Sequence, residues 1–396
     1  MKAVMYGAGN IGRGFIGQLL SQSGYDVAFV DVNMQVIDAL NERGEYTVEI
    51  LENDSNREVT VKNVSGVNGM DADAVADAIA AADVMATAVG VNVLPRIAGN
   101  IAKGLQKRWE SGNTTPFNVI ICENLIGADA FLAAKVKECL SADECALFDQ
   151  CIGMVEASIG RMVPLQTPEM SKGDLLRVCV EPYCNLIVDQ DAFKGDIPAI
   201  SNMSAYPKFQ LYIERKLYIH NMGHVMAAYF GNLKGYEYIW QAIEDAEIRA
   251  MVLHGMMASA AALAMKYDVP VGPLYDHVGD LIYRFTNKKL GDTVLRVGRD
   301  LKRKLSHEDR LVGALRTCRE MGIEPVFQYA AIAAAMQFTM DETASLSPEQ
   351  ILTEVSGLEK GSAEYNAIME YVPLAAGEDA LAKITAKAIK MIGVKY

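Results

Sequence analysis

The chain changes its hydrophobic rhythm near residue 200. Before that point, short apolar runs bounded by turn residues alternate with amphipathic stretches. Residues 2–6, 27–30, 83–89 and 117–122 read as buried strands, and residues 15–23, 37–41, 71–81, 94–112 and 128–140 as the helices between them. Such alternation builds a parallel sheet with helices on both faces. Period-two runs at 46–51 and 58–62, joined by Asn53, Asp54, Ser55 and Asn56, predict an inserted antiparallel hairpin. Mixed strands at 154–163, 175–180 and 185–188 complete this half. After about Ser201 the strand signal disappears. Segments 207–230, 237–267, 274–285, 311–321, 328–338 and 379–392 carry helical spacing, and Ser347-Pro348-Glu349-Gln350 combines a capping box with proline at the first helical position. The expectation is an α/β fold, with a doubly wound sheet over residues 1–200 and a mostly α-helical domain over 201–396.

The turn after the first strand reads Gly7-Ala8-Gly9-Asn10-Ile11-Gly12, a G-x-G-x-x-G between a strand and a helix. Gly7 permits the tight turn, Gly9 lets backbone N–H groups approach a pyrophosphate, and Gly12 lets helix and strand pack closely. Asn10 and Ile11 open the helix whose N-terminus faces the phosphates. The confirming signal is an acidic residue at the end of the second strand, roughly 20 residues on. Asp31 stands there, nineteen residues past Gly12. Its carboxylate suits ribose hydroxyls and repels a 2′-phosphate, and no arginine follows in Val32-Asn33-Met34, so NAD is the expected cofactor. Val89 and Gly90 end the strand at 83–89, where open α/β sheets bind ligands, and join the expected cofactor site. The first domain thus reads as Rossmann-type. A tight turn in a flavodoxin-like sheet, or an adenosine-binding methyltransferase loop, needs no such coincidence of glycine spacing and Asp31.

Composition narrows the class. The 396 residues are 51% hydrophobic, enough for two domains. A net charge of −13 argues against nucleic acid as a partner. Seven cysteines without a C-x-x-C pair read as reduced thiols. No apolar run approaches the roughly 18 residues of a bilayer span, so no membrane partner is expected. A cytoplasmic protein binding a small molecule, as monomer or small homo-oligomer, is the expectation.

Candidate chemistry lies in Arg215-Lys216-Leu217-Tyr218-Ile219-His220-Asn221-Met222-Gly223-His224. At about 100° per residue, Asn221 lies roughly 140° and His224 roughly 80° round from Lys216, which reads as one side of the helix. A lysine desolvated in an apolar site acts as a general base, while a lysine on a helix is otherwise a solvated surface residue. Asn221 is an oxyanion donor by type, and so is Asn124, which follows the strand at 117–122 unless it caps the next helix. His220 and His224 have the i, i+4 spacing of metal ligands, but no third ligand stands at a recognisable offset, and no metal is expected. Arg296, Arg299, Lys302, Arg303 and Lys304 crowd positive charge into an acidic chain. That cluster reads either as a phosphate clamp, through Arg296, Arg299 and Arg303, or as a solvated face.

The sequences GAGNIGRGFIG from Gly7, DVN from Asp31, TAVGVNVL from Thr87, CENL from Cys122, ERKLYIHNMGH from Glu214 and RVGRDLKRKL from Arg296 resemble the polyol-specific long-chain dehydrogenase/reductase family, essentially end to end. In that family a K-x-x-x-x-N-x-x-H motif supplies a metal-independent catalytic lysine. The resemblance implies Lys216 as general acid–base, Asn221 and Asn124 as oxyanion donors, and His224 as orienting lysine or substrate. It implies NAD-dependent interconversion of mannitol 1-phosphate and fructose 6-phosphate, the substrate binding between the two domains. The alternatives are a polyol or hexonate dehydrogenase for an unphosphorylated substrate, or a silent NAD-binding regulator. One departure stands out. Family members read valine-aspartate-arginine where this chain has Ile159-Gly160-Arg161, so Gly160 replaces a carboxylate.

Overall fold

In the computed structural model, which describes residues 1–338 and 342–393, the chain divides into two compact units, Met1–Phe209 and Gln210–Tyr396. The first is built on an eight-stranded sheet. Its strands are β1 (Lys2–Tyr6), β2 (Asp26–Asp31), β5 (Val64–Asn68), β6 (Val84–Thr87), β7 (Phe117–Ile121), β8 (Ile152–Ser158), β10 (Leu186–Asp189) and β11 (Met203–Tyr206), with β3 (Glu45–Leu51), β4 (Asn56–Lys62) and β9 (Val178–Val180) lying outside it. The order β11-β10-β8-β7-β6-β1-β2-β5 is parallel from β5 to β8, and β10 then runs antiparallel to β8. Alternate residues of β1 enter opposite cores: Ala3 and Met5 pack with Phe15, Leu19 and Phe29, and Val4 and Tyr6 with Ile79, Leu105 and Phe117. Burial on both faces explains the unbroken apolar runs.

Several expectations change. The strand signal does not end at Ser201, because β11 pairs with β10. The edge strand β5 escapes the apolar pattern because Gly66 interrupts it. A β-carbon there would lie 2.7 Å from the Ile37 carbonyl oxygen, so the helix Met34–Arg43 packs directly on backbone. The hairpin of β3 and β4 gains a third, parallel strand in β9. A helix at Ala142–Cys151, opened by a Ser141–Glu144 capping box, fills what reads as a connection.

The second unit is helical. The expected helix at 237–267 breaks at Asp245, whose carboxylate caps Ala246–Tyr267 by accepting from Glu247 and Ile248 N–H. That helix has the length and composition of a membrane span, contrary to the sequence expectation, but over half of it is buried inside the protein. The expected helix at 207–230 starts at Gln210 and contains a π-helical segment, Lys216–Asn221.

The small sheet is held by a buried ion network. Arg177 donates to Glu49 from Nε at 3.0 Å and from a terminal nitrogen at 2.6 Å, and also pairs with Glu58. Asn56 and Lys172 donate to Glu49 at 2.8 and 3.1 Å. Burial alone would raise the Glu49 carboxyl, but Arg177, Asn56 and Lys172 override it and bring it from 4.5 down to about 2. The native pKa lies below the unfolded one, so this stabilisation is complete above about pH 4.5 and lost as pH falls towards 2. Arg177→Met, which strands Glu49, is expected to cost about 3–5 kcal/mol in urea unfolding at pH 7. The cost should shrink as Glu49 protonates on acidification, and a cost independent of pH would mean the carboxylate is not the partner lost.

Candidate functional site

The glycine turn sits at the carboxyl end of β1, where strand order reverses between β1 and β6. Gly7 has a φ of +105°, and a β-carbon on it would lie 2.4 Å from the Ala88 carbonyl oxygen. One on Gly12 would lie 2.0 Å from the Gly7 carbonyl oxygen. In front of Gly9 the space is open to 4 Å. Gly9 and Asn10 are exposed and Ile11 half-buried at the start of the helix, whose first-turn N–H groups have no intrahelical carbonyl to meet.

Asp31 ends β2 half-buried. One carboxylate oxygen accepts the Ala8 N–H at 2.7 Å and the other the Asn33 N–H at 2.9 Å. The residue expected to bind ribose thus also ties the glycine turn to β2, and a carboxylate keeps lone pairs beyond these two. Val89 and Gly90 differ from expectation more sharply. Their N–H groups both donate to Glu123, at 2.8 Å each, so neither amide is offered to a ligand. Burial raises the Glu123 carboxyl above its usual value against those two bonds. Asn124, beside it, is exposed and is not the cap of the following helix, a position Gly127 takes.

In the helical unit, the π-helical segment alters the geometry inferred from α-helical spacing. Met222 N–H donates to the Leu217 carbonyl, five residues back. With bonds of that span, Asn221 follows Lys216 by a single turn instead of lying well round the helix. Desolvation, assisted by Arg310, pushes the Lys216 ammonium down from 10.5 to about 8. His224 Nε2 lies 2.8 Å from Asp292 Oδ2, and its ring stacks on Phe285 at 4.9 Å between centroids. Burial would raise Asp292, but His224 and Arg296 hold it below the usual carboxylate value. His220 is buried and kept neutral by desolvation and by Arg284. Among the described residues no group of three His, Cys, Asp or Glu side chains is arranged to hold a metal.

The basic cluster comes apart. Arg296 donates to Asp292 through Nε at 2.7 Å, which makes it the anchor of His224's partner. Arg303 pairs with Asp300 at 2.6 Å and Asp309 at 3.5 Å. Lys304 is buried against the Val297 and Arg299 carbonyls. Arg299 is exposed. The expected clamp is therefore largely engaged with its own carboxylates and carbonyls.

Comparison with known proteins places these features. A model of the mannitol dehydrogenase Rossmann domain matches residues 1–202, and one of the mannitol dehydrogenase C-terminal domain matches residues 208–356. The chain belongs to the mannitol dehydrogenase family. A mannitol-1-phosphate 5-dehydrogenase of Brevibacillus brevis is 43% identical over 344 residues, 87% of this chain and 88% of the relative. One of Oceanobacillus iheyensis is 39% identical over 384 residues, 94% and 98% of the two chains. Among solved structures, D-sorbitol dehydrogenase in substrate-free form superposes with a TM-score of 0.78 at 17% identity, covering 96% of this chain and 94% of the other. Mannitol 2-dehydrogenase of Pseudomonas fluorescens, in a ternary complex with NAD and D-mannitol, gives 0.76 at 16% identity, covering 98% and 94%. These two share the fold.

A β-carbon on Gly160 would lie 3.3 Å from the Tyr183 ring, so that ring crowds the place where the resemblance led to the expectation of a carboxylate. Arg161 stays buried, donating to the carbonyls of Glu181 and Gly14 and to Gln18 at 2.9–3.0 Å. Sequence reasoning also missed Glu123, Asp292 and Arg310. Asp292 was legible as the i−4 partner of Arg296, whereas the other two depend on contacts distant in sequence.

The open space at Gly9 makes a separable test. Gly9→Ala meets no protein atom and should leave the thermal midpoint unchanged. If a pyrophosphate occupies that space, the added methyl weakens NADH binding about 10-fold or more in a fluorescence titration. Unchanged affinity would remove Gly9 from the cofactor site.

Proposed function

We propose that the chain interconverts mannitol 1-phosphate and fructose 6-phosphate, with Lys216 as the general acid–base. Family membership makes it an NAD-dependent oxidoreductase of the polyol dehydrogenase class. Two relatives named mannitol-1-phosphate 5-dehydrogenase, each matching most of the chain, support a phosphorylated substrate. The first unit fits a dinucleotide: its glycine turn is open in front of Gly9, and Asp31 retains acceptor capacity for ribose.

The observation that carries the lysine's role is its desolvation, which brings Lys216 to about 8. At neutral pH such a group passes readily between ammonium and amine, as a general acid–base must. In polyol oxidation, neutral Lys216 takes the hydroxyl proton, the O–H electron pair becomes the second carbon–oxygen bond, and hydride leaves the same carbon. NAD, when bound, accepts that hydride. In ketose reduction the ammonium of Lys216 returns the proton to the carbonyl oxygen. Asn221, one turn from Lys216, donates an amide hydrogen to the oxygen as its charge develops. His224 is oriented by Asp292 and Phe285, with Nδ1 left for a neighbouring substrate hydroxyl.

Lys216→Met is expected to lower turnover about 10²- to 10⁴-fold with NADH affinity retained. Near-normal turnover would remove the lysine from the reaction. The pH dependence has a defined sign: oxidation needs the amine, so its kcat/KM should rise through about pH 8, while reduction should fall over the same range. Comparing fructose 6-phosphate with fructose decides the substrate class. Preference for fructose assigns the chain to unphosphorylated polyols, and NADH binding without turnover on either makes it a regulator.

A further inference from the structure

Arg310 is buried at 8% exposure, and its interactions stop short of its end. Its Nε and its backbone N–H both go to one Asp309 oxygen at 2.6 Å. Among the described residues, its two terminal nitrogens make no hydrogen bond, and the closest approach of its ion pair with Asp309 is through Nε. Neither terminal nitrogen is sealed from solvent, and arginine has no neutral form to retreat to, so that end of the side chain stays charged and accessible to a ligand. The N–H bonds at the end of this planar guanidinium therefore define a seat for an anion.

The seat adjoins the reacting lysine. Tyr218, on the Lys216 segment, donates to the Glu308 carbonyl at 3.2 Å, and its ring lies where a β-carbon on Gly313 would come within 2.6 Å. These contacts press residues 308–313 against the π-helical segment. Lys216 and Lys304 both feel the Arg310 charge. Around that point Lys216, Lys304, Arg303 and Arg310 face the carboxylates Asp300, Glu308 and Asp309, an excess of one positive charge while Lys216 is protonated. Of the arginines nearer the surface, Arg296 is committed to Asp292 and Arg303 to Asp300 and Asp309, while Arg299 is exposed.

We propose that the terminal nitrogens of Arg310 bind the phosphate monoester of the substrate in a bidentate manner, making Arg310 the residue that selects phosphorylated over free sugars. The inference rests on the proposed sugar-phosphate function and sharpens it. A planar guanidinium matches two phosphate oxygens, which a lysine cannot do.

The test measures kcat/KM for fructose 6-phosphate and for fructose, with NADH, in the wild type, Arg310→Gln and Arg310→Lys. The ratio of the two values is the readout, because a general loss of activity cancels in it. Arg310→Gln is expected to lower the ratio about 10²-fold, chiefly through KM for the phosphate ester. Arg310→Lys keeps the charge but not the fork, and should lower it about tenfold. If the wild type prefers fructose 6-phosphate and both variants keep its ratio, the Arg310 assignment is overturned while the proposed function stands. If the wild type shows no preference, the sugar-phosphate function itself fails, and this inference with it. Should Arg310→Gln not fold, an unchanged ratio in Arg310→Lys overturns the assignment alone.

Discussion

Positive charge taken out of water governs the helical unit. A buried cation must lose its proton, find a counter-ion or bind a ligand, because an uncompensated charge in a poorly polar interior is too costly to keep. The unit meets that demand in several ways within a short stretch of structure. His220 is kept neutral by desolvation and by Arg284, and burial with Arg215 and Arg284 nearby pushes His277 down to about 3. Arg284, itself buried, leans on Asp280 at 3.3 Å. His224 is instead given a carboxylate, Asp292, which shares itself with Arg296. Lys216 answers the same pressure by becoming a weaker base.

The first unit solves a different problem, the shape of a backbone turn. Arg13 reaches back to the Ala8 carbonyl at 2.7 Å and out to Leu175 at 3.0 Å, while the Tyr46 hydroxyl donates to the Arg13 carbonyl. Arg161 grips the helix following the turn through the Gly14 carbonyl and Gln18. Asp31 holds Ala8, and Glu123 holds Val89 and Gly90. Nearly every side chain around the loop spends its polar atoms on backbone groups. The loop therefore has its form before any nucleotide arrives, which spares binding the cost of ordering it.

What was legible in the sequence follows from the range of the interactions involved. The parallel strands declared themselves because burial on both faces demands unbroken apolar runs, and the glycine turn did because Gly7 and Gly12 have no room for a β-carbon. The strand at Val64–Asn68 did not, since its stability comes from register with β2 and from a glycine that admits a helix backbone. The π-helical turn at Lys216 has no signature in the hydrophobic pattern, so the angular relation of Lys216 to Asn221 was read as that of an α-helix. The arginine cluster was visible as composition, but its fate depends on which carboxylates fold against it. Arg310 drew no notice because its setting is made by Tyr218 and Glu308, 90 residues apart.

The pairing of Lys216 with Arg310 brings these points together. Lys216 is desolvated and feels the charge of Arg310, and the two differ in what their chemistry allows. A lysine near 8 is useful for moving a proton and poor as a permanent counter-ion. An arginine beside it cannot move a proton, but remains charged whatever its surroundings. Its constant charge also makes the lysine the group that gives way, since lowering the ammonium's pKa relieves the repulsion between them. A bound dianion would partly reverse that effect by favouring the ammonium. The acid–base state of Lys216 is thereby coupled to occupancy of the Arg310 seat: an arriving phosphate would prime the lysine as the acid that ketose reduction requires, and its absence would leave the amine.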